Sequence, residues 1–586
     1  MGKDFDQTAT APYNFVSLPK EVLASPVACG AEDGEERIRS YREHVLAKGR
    51  LSGHIDLEIR TLTPVFVGTG ADAGEDVEAF FAPAGVPVLP GSSVRGMIKN
   101  IFKIVTCGAM RADEDYYDRT LYFRTMADKK PHIRELYKTE MATIVQYGTK
   151  TISETKASAG YLIRQSGEAG YYICPSAFRI MDYAGGRQPR SEVHTVSWGA
   201  PGSGRADSHT GLMSSKSTYI RHYDPDWEHR IPVPDKVVQA YRDDVSRKGG
   251  ELLDEKVKEF CGKVKEAAKE FTNRDDIRHV APCFYKLDKN GNVAHFGFGR
   301  FYRIAYQKSI SDHVIVEGLE KTDYADAIFG CKELWASRLS FSDALPDGTP
   351  KTDTPAFPKI LSTPKPTAVQ LYLEQKNGAG RIAHWDSEGV PIRGYKLYWH
   401  QKKDTDWRSE KDEPTTQTKL KISPVKDGSV FRSTILFERL SEDELGALLK
   451  VLCLHGNHLC CKIGKGKSIG LGSIQVKPTL FITDAGDSCR TAFDDDGGWN
   501  AAERAEEMKH YIDAFERVLG EKLQGSVRGR YDKLMKELRH ILDWENTKID
   551  RWGEKIAQMS ATDTVDKRFK DRAILPTALE VGKRKK

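Results

Sequence analysis

Apolar and polar residues alternate across residues 54–67, with Ile55, Leu57 and Ile59 set against Asp56, Glu58 and Arg60. A period of two predicts a strand with one buried and one wet face. The strand runs into Gly68-Thr69-Gly70. The period then changes to that of a helix: Val94, Met97, Ile98, Ile101, Phe102 and Val105 form one stripe behind Pro90-Gly91-Ser92-Ser93. Ser92 or Ser93 is placed to cap it. The same succession returns late in the chain. Residues 431–437 read as a strand, and Ser441-Glu442-Asp443-Glu444 is a capping box opening a helix with Leu445, Leu448, Leu449 and Leu452 on one face. Residues 474–476 read as another strand. Two further stripes, Met508 to Val518 and Tyr531 to Ile541, predict a helical hairpin before the basic tail Lys583-Arg584-Lys585-Lys586.

The stretches between are less regular. Residues 35–48 form a charged helix in a lead-in that covers 1–50. Residues 111–310 form a polar, aromatic segment broken by turns. Within it, 185–208 read as an exposed loop and 234–271 as a charged helix. Residues 219–227 mix aromatic and basic side chains, a combination that suits single-stranded nucleic acid. Ala327-Ile328-Phe329-Gly330 closes a short helix, Arg338 to Ala344 reads as a strand, and the aromatic run Gly394 to His400 as another. Residues 401–420 read as a polar, lysine-rich loop. Five regions follow: 1–50, 51–110, 111–310, 311–480 and 481–586.

Composition narrows this little. At 586 residues, 39% hydrophobic and 30% charged, the chain is ordinary globular material of several domains. A net charge of +5 does not argue for nucleic acid in bulk, so any such role rests on local basic patches. No apolar run approaches the ~18 residues of a membrane span, and the start of the chain has no basic-then-apolar signal pattern. We therefore expect a cytoplasmic protein with no membrane partner. Ten cysteines without a C-x-x-C pair do not make a disulfide scaffold. The cluster Cys453, His455, His458, Cys460 and Cys461 could hold zinc, but its spacing fits no common finger, and buried thiols beside surface histidines are the plainer reading.

Candidate chemistry sits in three places. The first is Cys461 to Gly472, in which Gly464, Gly466, Gly470 and Gly472 alternate with Lys465, Lys467 and Ser468. Glycines allow positive φ and close approach, backbone N–H groups can form an anion-binding nest, and lysines add charge. A nucleotide P-loop fails on spacing, since its first glycine would fall on Cys461, and on context, since a strand follows. A glycine-rich turn without a ligand stays open. The second place is the start of the PGSS helix, where Ser92 and Ser93 with a basic row of Arg95, Lys99 and Lys103 suit a phosphate. An ordinary solvated helix face competes. The third is the acidic loop Asp72, Glu75, Asp76 and Glu78 after the first strand.

The order strand, acidic loop, PGSS helix, strand, capped helix, glycine–lysine loop, strand resembles the RAMP superfamily, the RNA-recognition-like proteins of CRISPR systems. Three stretches carry the likeness: Gly68 with the acidic loop and Val88 to Gly96; Ala327 to Gly330 with Arg338 to Ala344; and Ile463 to Gly472. The wide separation of the first two resembles the large type III-D backbone proteins, one module with a big insertion. The resemblance implies an α+β fold: a RAMP (ferredoxin-like) core, split over 51–110 and 311–480, with a large insertion and a C-terminal helical extension. It implies a subunit that binds CRISPR RNA and target RNA beside other type III effector subunits. Ser92, Ser93, Arg95, Lys99, Gly464, Lys465, Gly466, Lys467 and Ser468 would contact the guide, and residues 360–425 would carry a thumb-like hairpin. It also implies target cleavage through Asp76 or, second, Asp72, with a divalent metal, Mg, assisting attack of a 2′-hydroxyl on the adjacent phosphate. Without that activity no cofactor is expected. The alternative is an endoribonuclease that processes CRISPR precursor RNA through a general-base histidine, for which His54 is the residue near the first strand.

Overall fold

A computed structural model of the chain describes residues 8–27, 33–69, 76–112, 114–125, 131–147, 150–165, 170–182, 196–198, 206–208, 218–223, 225–226, 228–244, 253, 277–359, 365–375, 381–411, 413–414, 418–454, 458–483, 503–560 and 565–582. Strand β1 (Leu51–Thr61) lies at the centre of the main sheet. Helix α1 (Gly91–Val105) follows it, and then, after more than two hundred residues, β2 (Leu339–Phe341). Strand β3 (Val430–Leu440), helix α2 (Glu442–Cys453) and β4 (Ser473–Thr483) complete the unit. The spatial order is β2-β3-β1-β4, and every neighbouring pair is antiparallel. Two strand–helix–strand units interleaved in this order make a ferredoxin-like sheet, the fold class expected.

Alternation in the sequence becomes two faces. Ile55, Leu57 and Ile59 of β1, Phe431, Ile435 and Phe437 of β3, and Ile474, Val476 and Leu480 of β4 are all buried. They share one apolar core with Val94, Ile98 and Phe102 of α1 and Leu445, Leu448 and Leu452 of α2. Strands β3 and β4 run longer than the sequence pattern suggests, whereas β1 starts at Leu51 and ends at Thr61, short of Val67, and β2 covers only Leu339–Phe341 of the stretch read as strand from Arg338 to Ala344. Helix α3 (Lys509–Lys522) packs on α2 where Gly446 lets the backbones meet, and α4 (Gly525–Leu542) follows. Phe515, Leu519, Leu534 and Leu538 from this hairpin belong to the same core.

The region read as a broken, polar insertion is a β-rich body. Its five-stranded sheet orders Ile231–Val233, Tyr171–Ser176, Ser158–Gln165, Ile277–Leu287 and Val293–Gly297, around Leu162, Ile173, Ala281, Phe284 and Phe296. The stretch 185–208, expected to be loop, contributes strands Val196–Trp198 and Ala206–Ser208 to a four-stranded sheet. Of the helix expected over 234–271, Asp235–Asp243 is observed, and most of the remainder lies outside the described residues. No helix among the described residues is long and apolar enough to cross a membrane.

A buried charge cluster joins the pieces. Arg338 donates to Glu444 (Nη1 to Oε2, 2.9 Å), to the Arg439 carbonyl (2.9 Å) and to the Ala327 carbonyl (3.0 and 3.1 Å). His44, from the N-terminal helix Gly34–Leu46, lies 3.3 Å from Glu444, and Glu444 also accepts the Ser441 N–H (2.9 Å) as the acidic end of the capping box. Burial by itself would raise the Glu444 carboxyl; the His44 and Arg338 contacts overcome that and hold it at about 2, against an ordinary 4.5. A depressed carboxyl stabilises the fold fully above its unfolded value and loses that contribution as pH falls through the folded one. We expect stability to fall between pH 4.5 and 2, and denaturant titrations across that window should show the drop shrink in Glu444→Gln. Arg338→Ala should cost about 3–5 kcal/mol at neutral pH, since it strands a buried carboxylate.

Candidate nucleic-acid interface

Beyond β1 the chain bends at Leu62 and Thr63, and residues 64–67 become a spine to which three other segments attach. On one side the glycine loop closes down on it: the Lys465 N–H donates to the Phe66 carbonyl and the Gly472 N–H to the Pro64 carbonyl, both at 2.8 Å. On the other, Val65 exchanges backbone hydrogen bonds with Val425 at 2.9 Å, and the Phe81 N–H reaches the Val67 carbonyl at 2.7 Å. The short strand Val77–Glu78 pairs in parallel with Lys421–Ile422. The Lys421 N–H donates to the Asp76 carbonyl at 3.0 Å.

The glycines of this loop serve the backbone. Gly464 (φ 78°) and Gly472 (φ 83°) have positive φ, and a Cβ on either would run into a carbonyl, that of Phe66 or of Ile463. The N–H groups of Ile463, Lys465, Ile469, Leu471 and Gly472 all go to carbonyls of the fold. The open nest of amides expected from the sequence is therefore largely consumed by the loop's own closure. Lys462 closes it further, donating to the carbonyls of Lys467 and Leu471 at 3.0 Å each. Burial, with Lys467 beside it, pushes the Lys462 ammonium down to about 7. What the loop offers outward is side chains. Lys465 is exposed and forms an ion pair with Glu78. Lys467 is half-buried, and burial lowers its pKa. The Ser468 carbonyl is held by the Gln401 amide at 2.8 Å.

The PGSS helix differs more from expectation. Pro90, not a serine, is the residue before its first turn, and no side chain caps it in the ordinary way. Instead the Gly91 N–H donates to the Asp343 carboxylate at 2.7 Å, and the Ser93 and Val94 N–H groups go to the Pro90 carbonyl. The helix N-terminus thus already holds an anion, one supplied by the chain itself. Ser92 is exposed and Ser93 partly so. Arg95 is committed inward, donating to the Phe329 carbonyl at 2.7 Å with its guanidinium 5.5 Å from the Phe329 ring. Lys99 is partly exposed, its pKa lowered by burial and by Lys103 and Arg95. Lys103 does not extend the basic row: it is buried in an ion pair with Asp115 (2.7 Å). Its place in the helical period misled, because an i, i+4 row says nothing of a partner arriving from beyond the helix.

Asp76 is exposed at the foot of the Val77–Glu78 strand, and Asp72 lies outside the described residues. The structure brings Asp76, Glu78 and Lys465 to one edge of the spine, while the serines and Arg95 sit where α1 meets the segments Phe329-Gly330 and Ser342-Asp343-Ala344. Strand-like pairing of Leu89 with Ala344 and of Val88 with Phe81 links the two places. His54 is not among them. It stacks on Phe481 (4.6 Å, 16°) near the opposite end of β1, about 23 Å of strand from Thr61. The open sheet face around it mixes signs, with Arg432 between Glu58 and Asp347.

A divalent metal fits the described residues poorly. Hard cations need several oxygen ligands. Glu78 is neutralised by Lys465, which leaves Asp76 as the carboxylate of the described acidic loop with no ion-pair partner among the described residues. No group of three or more His, Cys, Asp or Glu side chains that could hold a metal occurs among the described residues. In the cysteine–histidine cluster, Cys460 and Cys461 are buried thiols, and burial pushes Cys460 up to about 12. Cys453 lies 3.7 Å from the Met508 sulfur, His458 faces Glu545 at 3.5 Å, and His455 lies outside the described residues.

Sequence reasoning placed Glu78 in the acidic loop and Asp343 in a stretch that carries the likeness without giving the partner of either, and it missed Gln401. All three act on residues far along the chain, and none carries a local signal beyond its polar side chain.

The model of the RAMP superfamily matches residues 58–166 and 248–475, together more than half of the chain. No curated protein matches. Among solved structures, a chain of the type III-B Cmr-beta complex bound to cognate target RNA is similar at 10% identity and a TM-score of 0.17, over 73% of this chain and 98% of that one. A chain of the same complex in its apo state matches at 11% identity and a TM-score of 0.17, over 72% of this chain and 96% of the other. The chain belongs to the RAMP superfamily.

Proposed function

We propose that this protein is a CRISPR RNA-binding backbone subunit of a type III effector ribonucleoprotein, acting in the cytoplasm with guide RNA, target RNA and other effector subunits. The observation that carries the reading is the seat of Lys465. An exposed lysine on a rigidly closed glycine loop points toward the strand that follows the acidic loop, inside a fold of the RAMP superfamily. Lys465 and Lys467 grip the phosphate backbone as point charges, with Lys99 and the hydroxyls of Ser92, Ser93 and Ser468 as further contacts. Gly464 and Gly466 shape the loop that presents them. Arg95 acts by holding the start of α1 against Phe329.

Cleavage is the second part of the proposal. A target strand lying along this edge would place a phosphodiester beside Asp76, where a carboxylate can orient the adjacent 2′-hydroxyl for attack on phosphorus. The phosphorus–5′-oxygen bond breaks and the hydroxyl proton ends on the leaving oxygen. The described residues do not assemble a metal site, so no step is routed through a cation.

The first test is purification with the products of neighbouring genes and sequencing of the RNA that accompanies them. RNAs of uniform register with repeat-derived ends are expected; random cellular RNA would overturn the reading. Lys465→Ala with Lys467→Ala should weaken guide binding and lower the slope of log affinity against log salt by about 1.4, two contacts at ~0.7 each for a single strand. An unchanged slope removes the lysines from the interface. Asp76→Ala should abolish one specific cut in target RNA and leave assembly intact. Failure to assemble would mark Asp76 as structural.

A further inference from the structure

Outside the ferredoxin sheet, Tyr13–Val16 pairs antiparallel with Tyr395–Tyr398. The register sets Tyr13 opposite Tyr398 and Phe15 opposite Lys396. Side chains alternate along a strand, so these four share one face of the ribbon. The other face carries Asn14, Val16 and Tyr395, all buried. Tyr372, at the end of the short helix Val369–Tyr372, joins the first face and stacks on Tyr13 (6.4 Å, 25°), its hydroxyl 3.5 Å from that of Tyr13. The Lys396 ammonium lies among these rings, 3.8 Å from the centroid of Tyr13, 5.4 Å from Tyr398 and 5.9 Å from Tyr372.

Lys396 has no carboxylate at ion-pair distance among the described residues, and burial is the one influence on its pKa, which it lowers. The acids of this side of the molecule are already matched: Glu374 with Arg530 (3.4 Å), Asp566 with Arg568 (2.8 Å), and Glu580 with the Thr577 N–H and hydroxyl (2.8 Å each). A partly buried cation held by three tyrosines and lacking a counter-charge is suited to an anion that also brings a flat ring. The ribbon also runs straight into the glycine loop. Trp399 and His400 follow Tyr398, both buried, and Gln401 then holds the Ser468 carbonyl. Five residues of chain put Lys396 within about 17 Å of Gln401.

We propose that Lys396 with Tyr13, Tyr372 and Tyr398 is a second RNA-binding site, which takes a nucleotide phosphate on the ammonium and a base on the tyrosine surface. It extends the path of the strand gripped by Lys465 and Lys467, and so rests on the guide-binding reading. The ligand class is single-stranded RNA, because an exposed base is needed for stacking and a duplex would present only its backbone.

The test uses the full chain and a single-stranded RNA of mixed sequence, with affinity measured over a salt series. Lys396→Ala should lower the salt slope by about 0.7, and Lys396→Arg should restore it. Tyr398→Leu should weaken binding roughly 5- to 150-fold with the slope unchanged, the range of one lost stacked base. Ultraviolet crosslinking of the wild-type complex should place RNA on the peptide containing residues 395–398, which decides the matter should a variant fail to fold. If Lys465→Ala with Lys467→Ala weakens binding while Lys396→Ala changes neither affinity nor slope and no crosslink maps to 395–398, this site is wrong and the guide-binding reading stands. If the wild type binds no RNA, both fall.

Discussion

The buried pair of Arg338 and Glu444 is the contact on which most of the rest depends. Neither charge reaches water, so each needs the other, and the remaining donors of Arg338 are spent on the carbonyls of Ala327 and Arg439. One guanidinium therefore fixes the start of α2, the end of β3 and the short helix Tyr324–Phe329. His44 adds the N-terminal helix to the same carboxylate. A planar fork with five donors can do this; a lysine could not satisfy the same acceptors at once. Such an arrangement contributes less to net stability than its Coulomb energy suggests, since both ions were desolvated to form it. What it fixes is relative position. With Ala327 held, Phe329 is held, and through the Phe329 carbonyl so is Arg95 and the first turn of α1.

That chain of constraint explains why the two expected anion seats differ. At α1 the geometry for a phosphate exists, but Asp343 fills it, delivered by the strand that Arg338 begins. At the glycine loop the amides are turned inward to the spine of residues 64–67, and charge is presented by side chains. The loop is stiff because its hydrogen bonds are satisfied, and a Cβ at Gly464 or Gly472 would collide with a carbonyl. A stiff loop bearing flexible lysines tolerates variation in a ligand's sequence while fixing the path of its backbone, which is what the proposed function asks of it.

Much of this core was legible in the sequence, and the reason is physical. The alternation of Ile55, Leu57 and Ile59, the stripe from Val94 to Val105 and the capping box at Ser441 are each set by neighbours within a few residues, where local rules apply. The sites were less legible because their partners are remote: Lys465 and Glu78 are 387 positions apart, Gly91 and Asp343 are 252 apart. A glycine–lysine pattern announces a loop and a charge, but not whether the amides are free. The insertion was opaque for another reason. Its strands, such as Val196–Trp198 and Ile231–Val233, are too short to display a period, and its polar composition hides a core built from a few large residues, Tyr161, Phe284 and Phe296 among them.

The Lys465–Glu78 pair has a consequence for how binding and chemistry are related under the proposed function. Lys465 is more than half exposed, so water screens its side of the ion pair with Glu78 and leaves the ammonium open to a second anion. A phosphate carries a full charge and several acceptor oxygens, and can take the lysine from the carboxylate at little cost. Glu78 would then lose its counter-ion while lying two residues from Asp76, and the negative charge at this edge would rise just where a bound strand runs past. Binding would thus free Glu78 beside Asp76, itself without an ion-pair partner among the described residues, so the loop that grips the backbone and the carboxylates beside it work as one unit.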